Sequence, residues 1–222
     1  MSFYEICGGR PLRGELRVQG AKNSALPILA AALLAPGQSV IRNCPDLSDV
    51  TAALEILRLL GEDPAREGLD AVLIDASQLT GCGIPDRLMR EMRSSVIFLG
   101  ALLARLGRAE LSYPGGCELG PRPIDLHLAA LRGLGAEITE EQGCLRCRGG
   151  KHLHGRELCL SIPSVGATEN AMLAACGARG LTTIVGAARE PEIVDLQRFL
   201  NAMGARVSGA GSPMITIQGG AP

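Results

Sequence analysis

Three stretches of the sequence are apolar on nearly every side of a helix, and they recur at a regular interval. They cover residues 23–35, 94–106 and 168–178. A helix without a polar face is typical of a protein core rather than of a protein surface. Each stretch stops near a glycine, as helix C-termini often do, and a short strand pattern follows. The pattern therefore predicts three buried helices, each leading into a sheet.

The order of elements around these helices occurs three times. After each apolar helix and strand comes a loop that ends in an aspartate (Asp49, Asp125 or Asp195), which we expect to begin an amphipathic helix before a closing hairpin. A period of about 70 residues in this order is typical of repeated supersecondary units that bury their helices only together. We predict an α/β protein: an inside-out α/β barrel of three βαβαββ-like repeats, with the apolar helices inside and the sheets outside.

The division that we expect is an opening segment, 1–19, followed by one three-repeat domain, 20–222. The repeats cover about 20–90, 91–160 and 161–222, with boundaries set only by the recurring pattern. The opening segment contains one short strand candidate at residues 15–18.

Composition narrows the class of protein. Hydrophobic residues make up 46% of the chain but aromatic residues only 2%, so the core must be aliphatic. The net charge of −1 and the absence of a lysine or arginine run argue against a nucleic-acid or membrane surface. The first residues have no apolar signal core, and eight cysteines in such a chain favour free thiols in a reducing cytoplasm. We therefore expect a cytoplasmic protein without nucleic-acid or membrane partners.

One loop of the second repeat is longer than its two counterparts. It runs from Tyr113 to Pro123 and combines several glycines and prolines with Cys117 and Arg122. Proline lacks the backbone N–H and glycine loses much entropy on ordering, so this segment is predicted to be a surface loop. Lengthening one loop of three indicates that it has specialised, because loops often carry function.

Cations stand at the starts of two of the apolar helices. Lys22 precedes the first and Arg93 the second. Free N–H groups and the helix dipole make a helix start an anion site, where a cation is disfavoured unless an anion is bound. Ser24, Ser94 and Thr168 could be ordinary caps, but capping does not explain the cations. We predict a phosphate or carboxylate site where the three helix starts converge.

Two further clusters leave alternatives open. Cys144, Cys147, His152 and His154 have the spacing of a zinc site. An alternating strand there would place the two cysteines on opposite faces, so we favour ordinary thiols and predict neither a metal nor a cofactor. The charged loop 189–192 is either a salt-bridged rim, which we favour, or a set of ligand contacts.

No histidine lies near Cys117 in the sequence, and none has a spacing typical of a cysteine peptidase. Nearby cations lower the pKa of a thiol, whereas an anionic ligand raises it. Cys117 could therefore serve as a nucleophile or as a proton donor, but peptidase chemistry is not favoured.

Five motifs, in order, carry a resemblance to a known family. The sequence resembles the bacterial UDP-N-acetylglucosamine enolpyruvyl transferases over nearly the whole chain, through GAKNSALP at 20–27, MRSS at 92–95, PGGCELGPRPIDL at 114–126, SVGATEN at 164–170 and AREPEIVD at 188–195.

The resemblance implies an activity. The family transfers the enolpyruvyl group of phosphoenolpyruvate to the 3′-hydroxyl of UDP-N-acetylglucosamine and releases phosphate, as the first committed step of peptidoglycan synthesis. By resemblance, Cys117 is the proton donor, forms a covalent adduct with phosphoenolpyruvate, and is alkylated by fosfomycin-type inhibitors. Such chemistry needs a proton for the methylene carbon and a positive pocket for phosphate and carboxylate.

The resemblance also implies the binding residues. Lys22, Asn23 and Arg122 match positions that contact phosphoenolpyruvate. The positions that match contacts of UDP-N-acetylglucosamine are Arg93, Arg122, Pro123, Ile124, Asp125, Leu126, Ser164, Val165 and Gly166.

Two departures from the family pattern affect these expectations. Ile162 stands where the family often has a lysine, which leaves contacts to the uridine diphosphate from that side open. The family enzyme is also about twice as long. Its second, C-terminal half supplies the acidic residue that acts as base for the sugar hydroxyl, together with further arginines. In the family the opening strand near residues 12–19 belongs to that other half. We therefore expect that this chain needs a C-terminal half as partner and does not turn over alone.

Two other functions remain open from the sequence. The shikimate-pathway enolpyruvyl transferase shares the inside-out architecture but lacks the cysteine loop. A non-catalytic domain that binds a nucleotide sugar would need the binding residues without turnover.

Overall fold

The computed structural model describes residues 3–11, 13–68, 70–112, 124–149 and 153–220. The helices within them are α1 (Lys22–Ala31), α2 (Ser48–Leu59), α3 (Asp86–Glu91), α4 (Phe98–Leu106), α5 (Asp125–Gly133), α6 (Val165–Gly177) and α7 (Pro191–Ala202). Three 3₁₀ turns add Ala32–Leu34, Ala76–Gln78 and Arg93–Ile97. The strands are β1 (Gln38–Ile41), β2 (Ala65–Glu67), β3 (Ala71–Asp75), β4 (Gly83–Ile84), β5 (Arg108–Ser112), β6 (Glu137–Glu141), β7 (Cys144–Arg148), β8 (Glu157–Cys159), β9 (Leu181–Val185), β10 (Arg206–Ser208) and β11 (Met214–Gln218).

The strands form three sheets with one repeated topology. The second sheet has the order β4-β5-β7-β6 and the third the order β8-β9-β11-β10. In both, the first pair is parallel and the others are antiparallel. The first sheet, β1-β3-β2, has the same order without a parallel strand in front. The predicted threefold repeat is therefore confirmed.

Strands β4 and β8 are hydrogen-bonded to the sheet of the following repeat. Each precedes a buried helix in the chain and pairs with the strand that comes after that helix. The boundaries at 90/91 and 160/161 do not reflect this pairing, and the division into domains stays a prediction.

The three apolar helices are buried, as predicted. Every residue of α1 from Ala25 to Ala31 is buried, as is every residue of α6 from Ala167 to Cys176. Helices α4 and α6 approach each other closely because glycines lie between them. A Cβ atom on Gly100 would lie 2.4 Å from the carbonyl oxygen of Asn170.

The C-terminal ends of the buried helices surround a cavity of about 150 Å³. Leu34, Ala104 and Cys176, each from the last turns of a different buried segment, line this cavity. The helices thus run in one direction, since their C-terminal ends meet here.

Three predicted helix starts differ from the structure. The stretch predicted to be helical from residue 94 opens as the 3₁₀ turn Arg93–Ile97, and α4 begins only at Phe98. Helix α6 begins at Val165, three residues before Thr168, because Ser164 caps it. Helix α7 begins at Pro191, so the prediction that Asp195 starts this helix is wrong. Proline favours the first helical position because its missing N–H and its fixed φ cost nothing there.

The strand predicted at residues 15–18 is not formed. The described part of the opening segment contains no strand, and Leu16 and Val18 are 90% and 80% exposed. A strand needs a neighbour to pair with its N–H and C=O groups, and no described strand lies beside this segment.

Cys144 and Cys147 lie on β7, as expected. Cys147 is buried with Leu145, whereas Cys144 lies on the other face and is only partly buried. The two thiols therefore point to opposite sides of the sheet, and His152 lies outside the described residues. The cysteines in the described part of the chain are all free. Among the helices described, none has the length and apolarity needed to cross a bilayer.

Candidate functional site

The start of α1 contacts the starts of two other helices. The Nζ of Lys22 lies 2.6 Å from Oδ2 of Asp49, the second residue of α2. The Nδ2 of Asn23 donates to Oε1 of Glu192, in the first turn of α7, at 3.3 Å. Two of the three residues expected to contact phosphoenolpyruvate, Lys22 and Asn23, thus lie at a junction of helix N-termini. The anion predicted for Lys22 is, in this structure, a carboxylate of the protein itself.

The start of α6 is organised by its own hydroxyl groups. The Oγ of Ser164 accepts from the N–H of Ala167 at 3.3 Å and is the N-cap. Thr168 does not cap the helix. Its hydroxyl donates to the Ser164 carbonyl at 2.8 Å and accepts from the N–H of Ala188 at 3.1 Å. The hydroxyl proton of Ser164 is not used by the cap and can be donated to a ligand.

Helix α5 packs its first turn against the first turn of α6. The Nδ1 of His127 lies 2.8 Å from Nδ2 of Asn170. A Cβ atom on Gly166 would lie 2.8 Å from Cε1 of His127, so any larger residue would have to displace the ring from this position. Burial lowers the pKa of His127 to about 4, although Asp125 acts in the opposite direction.

A buried carboxyl joins α6 to α7. Glu169 is only 5% exposed. Burial, and to a smaller extent the nearby charges of Glu192 and Glu190, together raise its pKa to about 8. Glu169 therefore holds its proton at neutral pH. The starts of α1, α2, α5, α6 and α7 are connected in this way into one polar end of the domain.

The structure places the described candidate residues as follows. Ile124 is the buried N-cap residue of α5, followed by the exposed Asp125 and the partly buried Leu126. Ser164, Val165 and Gly166 are partly exposed at the start of α6. The α5 and α6 groups therefore adjoin, whereas the side chains of Lys22 and Asn23 contact α2 and α7.

Four candidates fall wholly or partly outside the described residues. Cys117, Arg122 and Pro123 lie in the undescribed stretch 113–123. The backbone of Arg93 opens the 3₁₀ turn Arg93–Ile97, and its side chain is outside the described part.

Sequence reasoning missed several residues of this polar end. Asp49 was identified only as a helix start, and Glu192 was interpreted as part of a salt-bridged rim rather than of a site. His127, Glu169 and Asn170 had no role. A polar pair inside an otherwise apolar helix, such as Glu169-Asn170, is a signal that could have found two of them.

The architecture of the domain is that of the enolpyruvyl transferases. The solved structure of the enolpyruvyl transferase NikO from Streptomyces tendae matches with a TM-score of 0.83 and 26% identity, over 97% of this chain and 50% of that one. The EPSP synthase of Acinetobacter baumannii shares the fold, with a TM-score of 0.72 and 23% identity, over 93% of this chain and 47% of that one. The chain belongs to the EPSP synthase (3-phosphoshikimate 1-carboxyvinyltransferase) family, whose model matches residues 6–222.

Several curated relatives are more similar in sequence. UDP-N-acetylglucosamine 1-carboxyvinyltransferase 2 of Caldanaerobacter subterraneus subsp. tengcongensis is 54% identical, over 99% of this chain and 52% of its own length. UDP-N-acetylglucosamine 1-carboxyvinyltransferase 1 of Symbiobacterium thermophilum is 53% identical, over 97% and 50%. The chain spans about half the length of the curated relatives it matches.

Proposed function

We propose that this protein transfers the enolpyruvyl group of phosphoenolpyruvate to the 3′-hydroxyl of UDP-N-acetylglucosamine and releases phosphate. The observation that carries the proposal is the junction of helix N-termini around Lys22 and Asn23, in a chain whose relatives at 54% and 53% identity are named for this activity. We place the reaction in the cytoplasm, at the first committed step of peptidoglycan synthesis, on which cell shape and division depend.

The proposed reaction is an addition followed by an elimination. The thiol of Cys117 gives its proton to the methylene carbon of phosphoenolpyruvate, and the sugar 3′-oxygen bonds to the adjacent carbon as the hydroxyl loses its proton. Phosphate then leaves that carbon while the new methyl group returns a proton to the Cys117 thiolate, which restores both the double bond and the thiol. Cys117 can also bond to the same carbon as a covalent adduct.

The helix starts stabilise the charges of phosphoenolpyruvate. Lys22 and Asn23 provide a cation and an amide donor for its phosphate and carboxylate, together with Arg122. Because Asp49 and Glu192 contact these two side chains, they hold them at the site before the ligand binds. A preorganised donor costs no reorganisation when charge develops in the transition state.

UDP-N-acetylglucosamine binds along the starts of α5 and α6. Ser164, Val165 and Gly166 offer the first turn of a helix to the nucleotide sugar, and Asp125 lies exposed beside them. The remaining contacts in this proposal are Arg93, Arg122, Pro123, Ile124 and Leu126.

A C-terminal half completes the active site. The relatives are about twice as long as this chain, and Leu16 and Val18 lie exposed in the opening segment, where a second half would cover them. This second half contributes the base for the sugar hydroxyl. The 222-residue chain by itself is then expected to bind ligand without turnover.

Alkylation and titration test the proposal. A fosfomycin-type epoxide should add one equivalent of mass at Cys117, and Cys117→Asp should remove the adduct. Cys7→Ser is the matched control, because Cys7 is an exposed thiol outside the site. Calorimetric titration with UDP-N-acetylglucosamine should give saturable binding.

Two results would contradict the proposal. Failure of both alkylation and binding would remove the site assignment. Phosphate release by the 222-residue chain, with both substrates and no second half, would remove the requirement for a partner.

A further inference from the structure

The side-chain amide of Asn170 lies inside the core, and both its oxygen and its nitrogen have hydrogen-bond partners. It is fully buried. Its Oδ1 accepts from the N–H of Gly100 at 2.7 Å, and its Nδ2 donates to the carbonyl of Val96 at 2.9 Å. A backbone N–H can only donate and a carbonyl can only accept, so these two contacts determine which end of the amide is oxygen.

The second proton of this amide determines the tautomer of a histidine. The Nδ2 of Asn170 has one proton left after the bond to Val96, and Nδ1 of His127 lies 2.8 Å away. Since that nitrogen must accept the proton, it carries none itself. The imidazole of His127 is therefore neutral, with its own proton on Nε2.

The Nε2–H edge lies at the start of α6. A Cβ atom on Gly166 would lie 3.1 Å from Nε2, and His127 as a residue is partly exposed. From α6 the ring meets Asn170 and Gly166, which carry no charge, and on its own helix the charged neighbour is Asp125. The positive end of α6 also disfavours an imidazolium here.

We propose that Asn170 is a positioning residue for the nucleotide-sugar site, because it holds His127 as the neutral Nε2–H tautomer at the first turn of α6. His127 then presents an uncharged donor to a carbonyl or hydroxyl oxygen of the nucleotide sugar. The identity of the ligand in this inference rests on the proposed function. The tautomer of His127 does not depend on it. Binding through such a donor is independent of pH across the neutral range, because the ring does not gain a charge.

The tautomer can be measured without any ligand. The chain has three histidines, so ¹⁵N-histidine labelling with His152→Gln and His154→Gln assigns each ring. The ¹⁵N shifts of His127 are expected to show a protonated Nε2 and a bare Nδ1 between pH 5.5 and 8. A proton on Nδ1 in the native chain would overturn the inference.

A carboxylate at position 170 should make binding of the nucleotide sugar depend on pH. In Asn170→Asp the carboxylate accepts a proton from Nδ1, so Nε2 is bare at pH 8 and the donor is lost. Titration with UDP-N-acetylglucosamine should then be about tenfold weaker than native at pH 8 and should recover towards pH 5.5, whereas native binding stays flat. A variant profile as flat as the native one would mean that Asn170 is only structural.

Substitutions of His127 itself leave the fully buried Asn170 unchanged. His127→Gln keeps an amide N–H near the Nε2 position and should retain more affinity than His127→Ala, which is expected to lose about tenfold. His154→Gln, on an exposed residue of an isolated bridge, is the matched control and should leave binding unchanged. Equal affinity of His127→Gln and His127→Ala would contradict the donor role.

The two proposals can fail separately. If the native chain shows the Nε2–H tautomer but does not bind the nucleotide sugar, the proposed function fails and only the tautomer set by Asn170 stands. If the native chain binds but its tautomer is Nδ1–H, the positioning by Asn170 is excluded.

Discussion

Lys22 and Asp49 form an ion pair of 2.6 Å that joins the start of α1 to the start of α2. The cation belongs to a helix end that repels it, and the carboxylate to a helix end that attracts it. Their side chains are 45% and 26% exposed. An exposed pair of this kind contributes little to stability, which is compatible with the ligand-binding role proposed for Lys22.

Lys22→Met should therefore separate binding from stability. We expect the free energy of unfolding to change by about 0–1 kcal/mol, because exposed ion pairs are weak. Binding of phosphoenolpyruvate should fall by about tenfold or more, since a charge-assisted contact to phosphate is lost. Calorimetry and denaturant unfolding measure the two effects. Arg87→Met, which breaks ion pairs to Glu55 and Glu91 away from the helix starts, should leave phosphoenolpyruvate binding unchanged.

Glu169→Gln should change how stability depends on pH. The pKa of Glu169 in the folded chain is about 8, above its ordinary value of 4.5, so the folded chain binds this proton more tightly than the unfolded chain. The resulting stability is fully present below about pH 4.5 and is lost as the pH rises to about 8. Relative to the variant, the native chain should lose on the order of a few kcal/mol between pH 5 and 8.

Denaturant unfolding across this pH range measures the difference. Glu140→Gln, on an exposed residue of β6, is the matched control and should follow the native curve. Parallel curves for native chain and Glu169→Gln would show that Glu169 carries no proton at neutral pH.

Ile162→Lys should strengthen nucleotide-sugar binding. Ile162 is 61% exposed and lies two residues before Ser164, the N-cap of α6. An added lysine there can reach the diphosphate, with an expected gain of about three- to tenfold that weakens as salt is raised. The control is Leu181→Lys, on a similarly exposed residue of β9. An equal gain in both variants would indicate non-specific attraction.

Gly100→Ala should destabilise the core by about 1–3 kcal/mol, because helices α4 and α6 would have to separate. The added Cβ would lie 2.4 Å from the Asn170 carbonyl oxygen and 2.8 Å from its Oδ1. Thermal or denaturant unfolding measures the loss. Gly8→Ala, where a Cβ meets nothing within 4 Å, should leave the unfolding transition in place. An unchanged stability for Gly100→Ala would mean that the two helices can move apart at little cost.

Patterns of local sequence were sufficient for the repeats and for the buried helices. The period near 70 residues and the all-apolar stretches depend only on which residues recur, and the three sheets follow the same order. The position of Cys144 and Cys147 on opposite faces of β7 also follows from strand geometry alone.

Predictions that needed a spatial neighbour were less successful. The strand at residues 15–18 has the right residue pattern, but pairing depends on a partner strand that local sequence does not reveal. The start of α7 was misplaced at Asp195 because an aspartate can also lie inside a helix, and Pro191 was the stronger signal.

The sequence by itself determined the class of fold, the family resemblance and the residues expected to carry the chemistry, because repeats and motifs are local. Only the tertiary structure decided which side chains meet. It paired Lys22 with Asp49 and buried Glu169 beside Glu190 and Glu192. It also brought Asn170 to His127, which is 43 residues away. Charge and tautomer depend on such contacts, since burial and hydrogen-bond partners come from distant parts of the chain.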